Sequence, residues 1–447
     1  MRVPKLRKVC VLTAAGVLSV AASHAWPADT VLRNFTLIDG TDHAPAPGSA
    51  MIIRNGHIAW VGRVPDLQAP ADARVVDYTG KYVMPGIIDL HVHLANTVDM
   101  VQDKKNFTKD SVEHDLEVYA SYGVTTVVSL GTDSDLIFQL RAAHRAGEPA
   151  MAHFHTVGQG LVFKGGYGGL AGVNQPVATP AEAAAAVDVQ AAKGVELIKL
   201  WLDDEFGSMP KMPPDISKAI IDAAHRHHLR AVAHVFYLED AKRLVSQGID
   251  GLAHSIRDKP VDQELIDAMK QHHTWQLAET LSREASMGVY GQRAAFLDDP
   301  FFTRAVSARS LQVLADPQRQ KQIASGPHFA EYPKILAMAE SNTKRLLDAG
   351  IRLGFGTDSG PPGRFPGYFE HWELALLVDA GLTPMRALQM ATRDSAEFLR
   401  AQDLGTLQAP RRADLLVLDA DPTDDIRNTR KIRAVYVAGR RVDTPHQ

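Results

Sequence analysis

Residues 84–93 read MPGIIDLHVH and end in two histidines one residue apart. Pro85 and Gly86 mark a turn, and the apolar, β-branched residues that follow them are typical of a strand buried on both faces. Because alternate side chains of a strand share a face, His91 and His93 point in the same direction. Such a pair can supply half of a metal site, although paired histidines also occur as ordinary core or surface residues.

The composition of the chain favours a folded enzyme-sized protein without a polyanionic partner. Its 447 residues are 45% hydrophobic, which allows a large core, and 48 basic side chains stand against 52 acidic ones. Without a basic patch or a long run of like charge, we expect a small-molecule substrate and no nucleic acid as partner. A homo-oligomer is left open by this composition.

The first 25 residues have the pattern of a cleaved signal peptide. A basic start is followed by an apolar run over residues 9–22, and Ser23-His24-Ala25 offers a small-x-small cleavage site. The run is short for a membrane span, so an uncleaved anchor is the less favoured alternative. We therefore expect an exported protein, periplasmic or secreted, that keeps no membrane anchor after cleavage. Cys10 is the one cysteine in the sequence, so the mature chain would bind metal through nitrogen and oxygen atoms.

The middle of the chain alternates strand patterns with helix patterns. Eight strands with intervening helices predict an α/β fold, a (β/α)8 TIM-like barrel, with its active site at the C-terminal ends of the strands. An open doubly wound sheet is the alternative, but no glycine-rich phosphate loop follows a strand. Residues 281–350 exceed one crossover and should add helices, for which a lid over the strand ends is one use. The eight predicted strands are 87–93, 124–130, 150–157, 195–201, 229–235, 249–255, 274–279 and 351–357.

Both ends of the chain contain short strand patterns separated by turns. Two all-β segments that flank one α/β region suggest a single small β-sandwich domain built from both chain termini. We therefore predict a signal peptide over residues 1–25, the sandwich domain over 26–84 and 403–447, and the barrel over 85–402.

Polar side chains occur in or at the ends of several predicted strands. Lys199 lies in the apolar strand VELIKLW, where a free ammonium is costly. His234 and His254 end the fifth and sixth strands, and Asp358 follows the eighth. Each alone has an ordinary explanation, such as a core histidine or a helix-capping aspartate. Together with the first histidine pair, they form a nitrogen and oxygen set suited to divalent metal at one face of a barrel.

These segments resemble the amidohydrolase superfamily, and more narrowly its prolidase-like and imidazolonepropionase-like metal-dependent hydrolases. The resemblance extends over essentially the whole chain after the signal peptide, including the terminal β-segments and the strand around Lys199. The motifs that carry it are VMPGIIDLHVHL (83–94), YGVTTVVSLG (122–131), AVAHVF (231–236), GLAHS (251–255), GFGTDSG (354–360), GLTPMRALQMATRDSAEFL (381–399) and ADLLVLDADPTDDI (413–426).

The resemblance implies two divalent metal ions, with zinc as the expected metal. Lys199 would bridge the metals as a carboxylated lysine, because CO2 addition turns a costly buried cation into an anionic oxygen ligand. Asp358 would be the catalytic residue that moves a proton from the attacking water to the leaving nitrogen. The implied ligands are His91, His93 and Asp358 for one metal, His234 and His254 for the other, and Lys199 between them.

Four further residues are candidates for substrate binding. In related dipeptidases, a histidine in a Gly-Gly-His stretch after the third strand and a tyrosine three residues beyond the fifth-strand histidine contact substrate. Here Tyr167 takes the place of that histidine in KGGYGG, and Tyr237 is present in the tyrosine's place. Arg257 and Arg364 could pair with a substrate carboxylate, or each could be a solvated loop charge.

The expected function is metal-dependent hydrolysis of a carbon–nitrogen amide bond. Small carboxylic-acid amides are the expected substrates, such as dipeptides, including Xaa-Pro dipeptides, or N-acyl amino acids. Cyclic amides or lactones are the alternative substrates. A non-catalytic metal-binding protein of the same fold is an alternative from another class, but the retention of Asp358 favours an enzyme, because a binding protein has no use for a proton shuttle.

Overall fold

The computed structural model describes residues 29–147, 149–277 and 279–442. The predicted signal peptide, with Cys10, lies outside these residues, as do 26–28 and 443–447 of the predicted sandwich domain. Within the described ranges, none of the helices is both long enough and apolar enough to cross a membrane.

The strands are short at both ends of the chain and mostly parallel between them. Their bounds are β1 Thr30–Leu37, β2 Ala46–Arg54, β3 His57–Arg63, β4 Arg74–Asp77, β5 Tyr82–Pro85, β6 Ile87–Val92, β7 Thr97–Val98, β8 Val101–Gln102, β9 Val124–Ser129, β10 His153–Thr156, β11 Leu161–Phe163, β12 Gln175–Val177, β13 Leu197–Trp201, β14 Arg230–His234, β15 Gly251–Ala253, β16 Trp275–Leu277, β17 Leu353–Gly354, β18 Leu415–Leu418, β19 Ile432–Val437 and β20 Arg440–Arg441.

Helices follow most of the parallel strands, and local capping fixes where several of them begin. At the start of the third helix, the Thr179 side chain accepts from the Glu182 N–H and Pro180 takes the first position, where its missing N–H costs nothing. The helices are α1 Lys109–Ser121, α2 Leu136–Gly147, α3 Pro180–Ala192, α4 Pro214–Arg226, α5 Leu238–Ser246, α6 Gln263–His272, α7 Leu281–Val289, α8 Pro300–Thr303, α9 Ala308–Ala315, α10 Pro317–Ala324, α11 Tyr332–Asp348, α12 Tyr368–Asp379, α13 Pro384–Gln389 and α14 Ser395–Phe398, with a π-helical turn, Met390–Asp394, between the last two.

In the part of the chain that the structure describes, eight parallel strands form the predicted barrel. β6, β9 and β10 make one hydrogen-bonded sheet, and β13 to β17 make another. Backbone hydrogen bonds join these sheets on both sides: the Glu196 N–H donates to the Thr156 oxygen at 3.1 Å, and the Leu90 N–H donates to the Phe355 oxygen at 2.9 Å. One apolar cluster fills the ring and a larger one packs the strands against the helices, so β6 is buried along its whole length. The predicted fold class is confirmed.

Residues 281–350 contain additional helices, as predicted. They hold α7 to α11, and the first turn of α7 is anchored by Glu373 of α12. The Glu373 carboxylate accepts from the N–H groups of Leu281 at 2.9 Å and Ser282 at 2.7 Å. This anchor holds the start of α7 at the C-terminal ends of the barrel strands, where a covering element was expected.

The strands of both chain ends form one sheet with the order β20-β19-β18-β5-β1-β2-β3, and β4 pairs with β1. Strands from the two edges of this sheet share one apolar core, and the Tyr78 hydroxyl lies 2.8 Å from the Tyr436 hydroxyl. A flat sheet could not bring those strands together, so the sheet curves over its core. The predicted small domain from both termini is present, while its exact boundaries stay a prediction.

Candidate active site

The six predicted metal ligands are buried at the C-terminal end of the barrel. His91, His93 and Asp358 form the tightest group, with ligand atoms that all lie within 4.8 Å of one another. The six come from five barrel strands and the segments that directly continue them: His91 lies in β6 and His93 follows it, Lys199 lies in β13, His234 ends β14, His254 follows β15, and Asp358 lies in the segment after β17.

Contacts between the imidazoles join the two predicted metal positions into one site. His93 Nε2 lies 2.9 Å from Asp358 Oδ1, and His91 Nε2 lies 3.6 Å from the same oxygen. The ring centroid of His254 is 4.8 Å from that of His91 and 4.3 Å from that of His234. The four histidines and the aspartate therefore lie in one cluster. The assignment of each residue to a particular metal stays a prediction.

Lys199 is fully buried, and no described carboxylate lies within ion-pair distance of its ammonium. Its Nζ has no hydrogen-bond partner within residues 29–147, 149–277 and 279–442, and it lies 5.2 Å from the Trp201 ring centroid. Burial, with a smaller contribution from the Arg283 charge, lowers the pKa of Lys199 to about 7 against the attraction of Asp358. A buried nitrogen without a partner suits a lysine that becomes a carbamate and gains metals as partners.

The protonation states of the other side chains also suit divalent metal. Burial lowers the pKa of all four histidines, that of His234 to about 4, so each imidazole is neutral and offers a lone pair. Burial raises the pKa of Asp358, but Arg364 and the neighbouring histidines outweigh it and hold that pKa well below the ordinary value. The donor set is therefore neutral imidazole plus ionised carboxylate, which fits a divalent cation.

Hydrogen bonds orient three of the four imidazoles. His93 Nδ1 lies 2.8 Å from Thr132 Oγ1, and His254 Nδ1 lies 2.9 Å from Thr280 Oγ1. His234 uses its other nitrogen, with Nε2 2.8 Å from an oxygen of Asp203. Such partners fix the ring orientation of metal-binding histidines. Sequence reasoning missed all three of these partners.

The backbone at the strand ends is shaped to present these side chains. Asp358 has φ +59° and His254 has φ +71°, both in the left-handed region that such residues enter at energetic cost. A Cβ on Gly360, at φ +113°, would lie 1.9 Å from the His93 oxygen, so this position requires glycine. Asp89, two residues before His91 in β6, accepts from the His91 N–H at 2.7 Å.

Two arginines contact Asp358 through the same carboxylate oxygen. Arg283 Nε lies 3.0 Å from Asp358 Oδ2, and Arg364 Nη1 contacts that oxygen as well. Arg283 also pairs with its neighbour Glu284. The sequence identified Arg364 but missed Arg283, whose one signal was its position just after the seventh predicted strand.

The remaining predicted substrate contacts lie around the pocket. The Tyr167 ring packs 5.4 Å from the His234 ring, and the Tyr237 hydroxyl donates to Asp204 at 2.8 Å. Arg257 is already engaged: its Nη1 donates to the backbone oxygens of Val235 and Ser255, and its Nε lies 3.2 Å from Glu284 Oε1. Its role toward a substrate carboxylate stays a prediction.

Two cavities adjoin the site on different sides. One of about 60 Å³ is lined by Asp203, Tyr237, Arg257 and Arg283 among others. The other, of about 300 Å³, has Arg364 in its wall. Each cavity is therefore lined by one of the two arginines that contact Asp358.

Comparison with known proteins identifies the class. The family model described as Amidohydrolase family matches residues 82–442. An imidazolonepropionase from Deinococcus deserti is 26% identical, covering 92% of this chain and 100% of its own length. A crystal structure from Bifidobacterium longum, assigned as a prolidase, is 26% identical with a TM-score of 0.74, covering 94% of this chain and 95% of that one. A Xaa-Pro dipeptidase with methionine in its active site has a TM-score of 0.72 at 20% identity, covering 93% and 99% of the two chains.

The chain therefore belongs to the amidohydrolase family, within the prolidase-like and imidazolonepropionase-like branch that its sequence predicted. It is a metal-dependent hydrolase that acts on carbon–nitrogen bonds. The non-catalytic alternative is not supported.

Proposed function

We propose that this chain is an exported hydrolase with two divalent metals, zinc in the first instance, that cleaves the amide bond of small carboxylic-acid amides. Dipeptides, including Xaa-Pro dipeptides, and N-acyl amino acids are the proposed substrates. The proposed ligands are His91, His93, Lys199, His234, His254 and Asp358, and export rests on the signal-peptide pattern of residues 1–25.

The observation that carries the two-metal proposal is the buried Lys199 nitrogen among neutral imidazoles. As an ammonium it is buried without a hydrogen-bond partner among the described residues, whereas as a carbamate it would be an anion with two ligand oxygens. An anionic bridge is what two cations held by His91, His93, His234 and His254 would require.

Divalent metals in this position would lower the pKa of a water molecule and polarise the scissile carbonyl. Asp358 accepts the proton of the attacking water as the tetrahedral intermediate forms, and then donates it to the leaving nitrogen. Its Oδ1 faces His91 and His93, while its Oδ2 faces the arginines. The carboxylate therefore stands between the ligands and the side on which a substrate would arrive.

The arginines support a substrate that carries a carboxylate. Arg283 and Arg364 share one oxygen of Asp358, although a guanidinium can make two parallel hydrogen bonds to a carboxylate. Once Asp358 is a metal ligand and a proton carrier, Arg364 needs another anion. Among the described residues, Arg283 then keeps only Glu284, which it shares with Arg257. A substrate carboxylate meets that need, and it would place the adjacent amide bond beside Asp358.

A cyclic amide is the second candidate substrate. It is favoured by the similarity to imidazolonepropionase along most of the chain. Such a substrate also undergoes carbon–nitrogen bond cleavage, so the same catalytic groups would serve.

Elemental analysis combined with a substrate screen tests the proposal. Protein purified without chelator and reloaded with zinc and bicarbonate should contain two metals per chain. It should hydrolyse dipeptides or N-acyl amino acids, and it should lose most activity toward their carboxyl-amidated counterparts. A chain that never exceeds one metal would refute the two-metal site. Turnover confined to lactams or lactones would establish the cyclic alternative instead.

A further inference from the structure

Asp203 lies beside His234 because of how two neighbouring strands pair. Lys199, Trp201 and Asp203 alternate along the chain, so they share the face of β13 that is directed into the barrel. In the register of β13 and β14, Trp201 pairs with His234, and the Leu202 N–H donates to the His234 oxygen at 3.1 Å. The next residue with the same orientation is therefore Asp203, at the level of the His234 ring.

Both oxygens of the Asp203 carboxylate are committed. Oδ1 accepts from the N–H groups of Asp204 at 2.7 Å and Glu205 at 3.0 Å, which fixes the carboxylate to its own loop. Oδ2 lies 2.8 Å from His234 Nε2. Asp203 is 8% exposed and His234 is 2% exposed, so water competes little for this contact.

The contact determines which nitrogen of His234 carries the proton. A carboxylate only accepts hydrogen bonds, and a neutral imidazole has one N–H and one lone pair. Nε2 must therefore carry the hydrogen, which leaves the lone pair on Nδ1. The outer contacts of His93 and His254 are made by Nδ1 instead, to the hydroxyls of Thr132 and Thr280. A hydroxyl can donate or accept a hydrogen bond, so these contacts do not fix a tautomer as the Asp203 carboxylate does.

Asp203 does not take part in a cluster of potential ligands itself. Among the described His, Asp, Glu and Cys side chains, the group of three whose ligand atoms all lie within 4.8 Å contains His91, His93 and Asp358, without Asp203. Asp203 therefore acts on the predicted metal site through its hydrogen bond to the His234 ring.

We infer that Asp203 is a positioning residue that holds His234 in the tautomer whose Nδ1 binds metal, and that its negative charge strengthens that bond. This inference rests on the proposed two-metal function. The partners of His93 and His254 are neutral hydroxyls, so His234 is the one predicted ligand whose outer nitrogen faces an anion among the contacts described for residues 29–442 outside 148 and 278. The metal at His234 should depend on its outer partner more than the metal at His91 and His93 does.

Metal binding by the full-length chain tests this role without using activity. Zinc affinities of the wild type, Asp203→Asn and Asp203→Ala would be measured by competition with a chromophoric chelator in the presence of bicarbonate. Loss of such an outer partner weakens metal binding by roughly 10- to 100-fold. We expect Asp203→Ala to weaken zinc binding at one of the two sites by a factor near the upper end of this range. Asp203→Asn should weaken it by a factor near the lower end, because its amide still accepts a hydrogen bond but carries no charge.

A surface pair offers a matched control. His227 Nε2 lies 2.7 Å from Asp188 Oδ1, the same kind of contact away from the site, so Asp188→Asn should leave both zinc affinities unchanged. Thermal unfolding of each metal-free variant reports whether the fold is intact. The absorption spectrum of the cobalt-loaded chain shows which coordination environment changes, and only one should.

The outcomes separate this inference from the function on which it rests. A wild-type chain that binds a single metal overturns the two-metal function. A two-metal wild type whose Asp203→Ala variant binds both metals equally well overturns the inference alone. Equal weakening of both metals together with a lower unfolding temperature would also overturn it, because that result describes a residue needed for the fold.

Discussion

Replacing Lys199 by methionine should stabilise the metal-free protein while destroying its metal site. The pKa of Lys199 is about 7 instead of the ordinary 10.5, chiefly because burial disfavours the ammonium. At about 1.4 kcal/mol per pH unit, this difference corresponds to a cost of roughly 5 kcal/mol for keeping the charged form folded. Methionine has a similar length and no charge, so it removes the cost without opening a large cavity.

The sign of the pH dependence follows from proton binding. Between about pH 7 and pH 10.5, the unfolded chain holds the Lys199 proton more tightly than the folded chain does. The free energy of unfolding of the wild type therefore decreases as the pH falls through this window, and the full cost is present below about pH 7. The advantage of Lys199→Met should be roughly 4 kcal/mol near pH 7.5 and should vanish toward pH 10.5.

Urea unfolding followed by circular dichroism measures this difference in protein free of metal and bicarbonate. With zinc and bicarbonate added, the order should reverse, because ligands that bind only the folded wild type stabilise it. Lys218→Met on the surface of α4 is the control, expected to change stability by no more than about 0.5 kcal/mol. A Lys199→Met chain that is less stable than the wild type at every pH, without metal, would refute the reasoning from burial.

Three further predictions address the site and its support. Asp358→Asn should lower kcat by at least roughly 10²-fold, because the amide cannot accept the proton, and a variant that keeps both metals and near wild-type kcat would contradict this role. Arg283→Gln should raise KM for a dipeptide by roughly 10- to 100-fold but hardly change it for the carboxyl-amidated peptide; equal effects on both would exclude carboxylate recognition. Burial raises the pKa of Glu373 to about 8 against the hydrogen bonds from Ser282 and Leu281. The folded chain therefore binds more protons than the unfolded chain from about pH 4.5 to pH 8, so wild-type stability falls as the pH rises through that range. Thermal unfolding should show that Glu373→Gln gains up to roughly 5 kcal/mol in free energy of unfolding relative to the wild type as the pH rises through this range. A difference between the two proteins that does not change with pH would contradict the prediction.

The barrel could be predicted because its strands are buried on both faces and therefore read as apolar runs. The eighth strand shows the limit of this approach, since residues 351–357 were predicted but regular pairing with β16 covers only Leu353–Gly354. Beyond that point the chain bonds instead to β6, where the Asp358 N–H donates to the His91 oxygen at 2.7 Å. The irregular bonds turn the backbone so that the aspartate meets the histidines.

The predicted ligands could be grouped from the sequence because they lie in or near the ends of predicted strands, and the parallel strands of a barrel end on one face. Arg283 and Asp203 could not be found in this way, because the position of each side chain is set by contacts between elements that are separate in the sequence. Arg283 reaches the site because Glu373, far along the chain, anchors the first turn of α7. Asp203 depends on the register of β13 and β14, which the sequence does not specify. Arg257 was a candidate partner for a substrate carboxylate, but the backbone oxygens of Val235 and Ser255, which follow β14 and β15, already accept from its guanidinium.

The charges of the site link metal loading to substrate binding. Without metal, Asp358 neutralises Arg283 and Arg364, and its pKa is held low by Arg364 and the histidines. On the proposed function, metal binding draws on the same carboxylate. Among the described residues, it leaves Arg364 without a full counter-charge and Arg283 with only Glu284, which Arg257 shares, in a region where unpaired charge is costly. A substrate carboxylate that satisfies them also relieves Asp358 of two neighbours that make it a weaker base. The group that binds the substrate and the group that moves the proton are thus connected through one oxygen, so an anionic substrate would both bind more tightly and react faster than its neutral analogue.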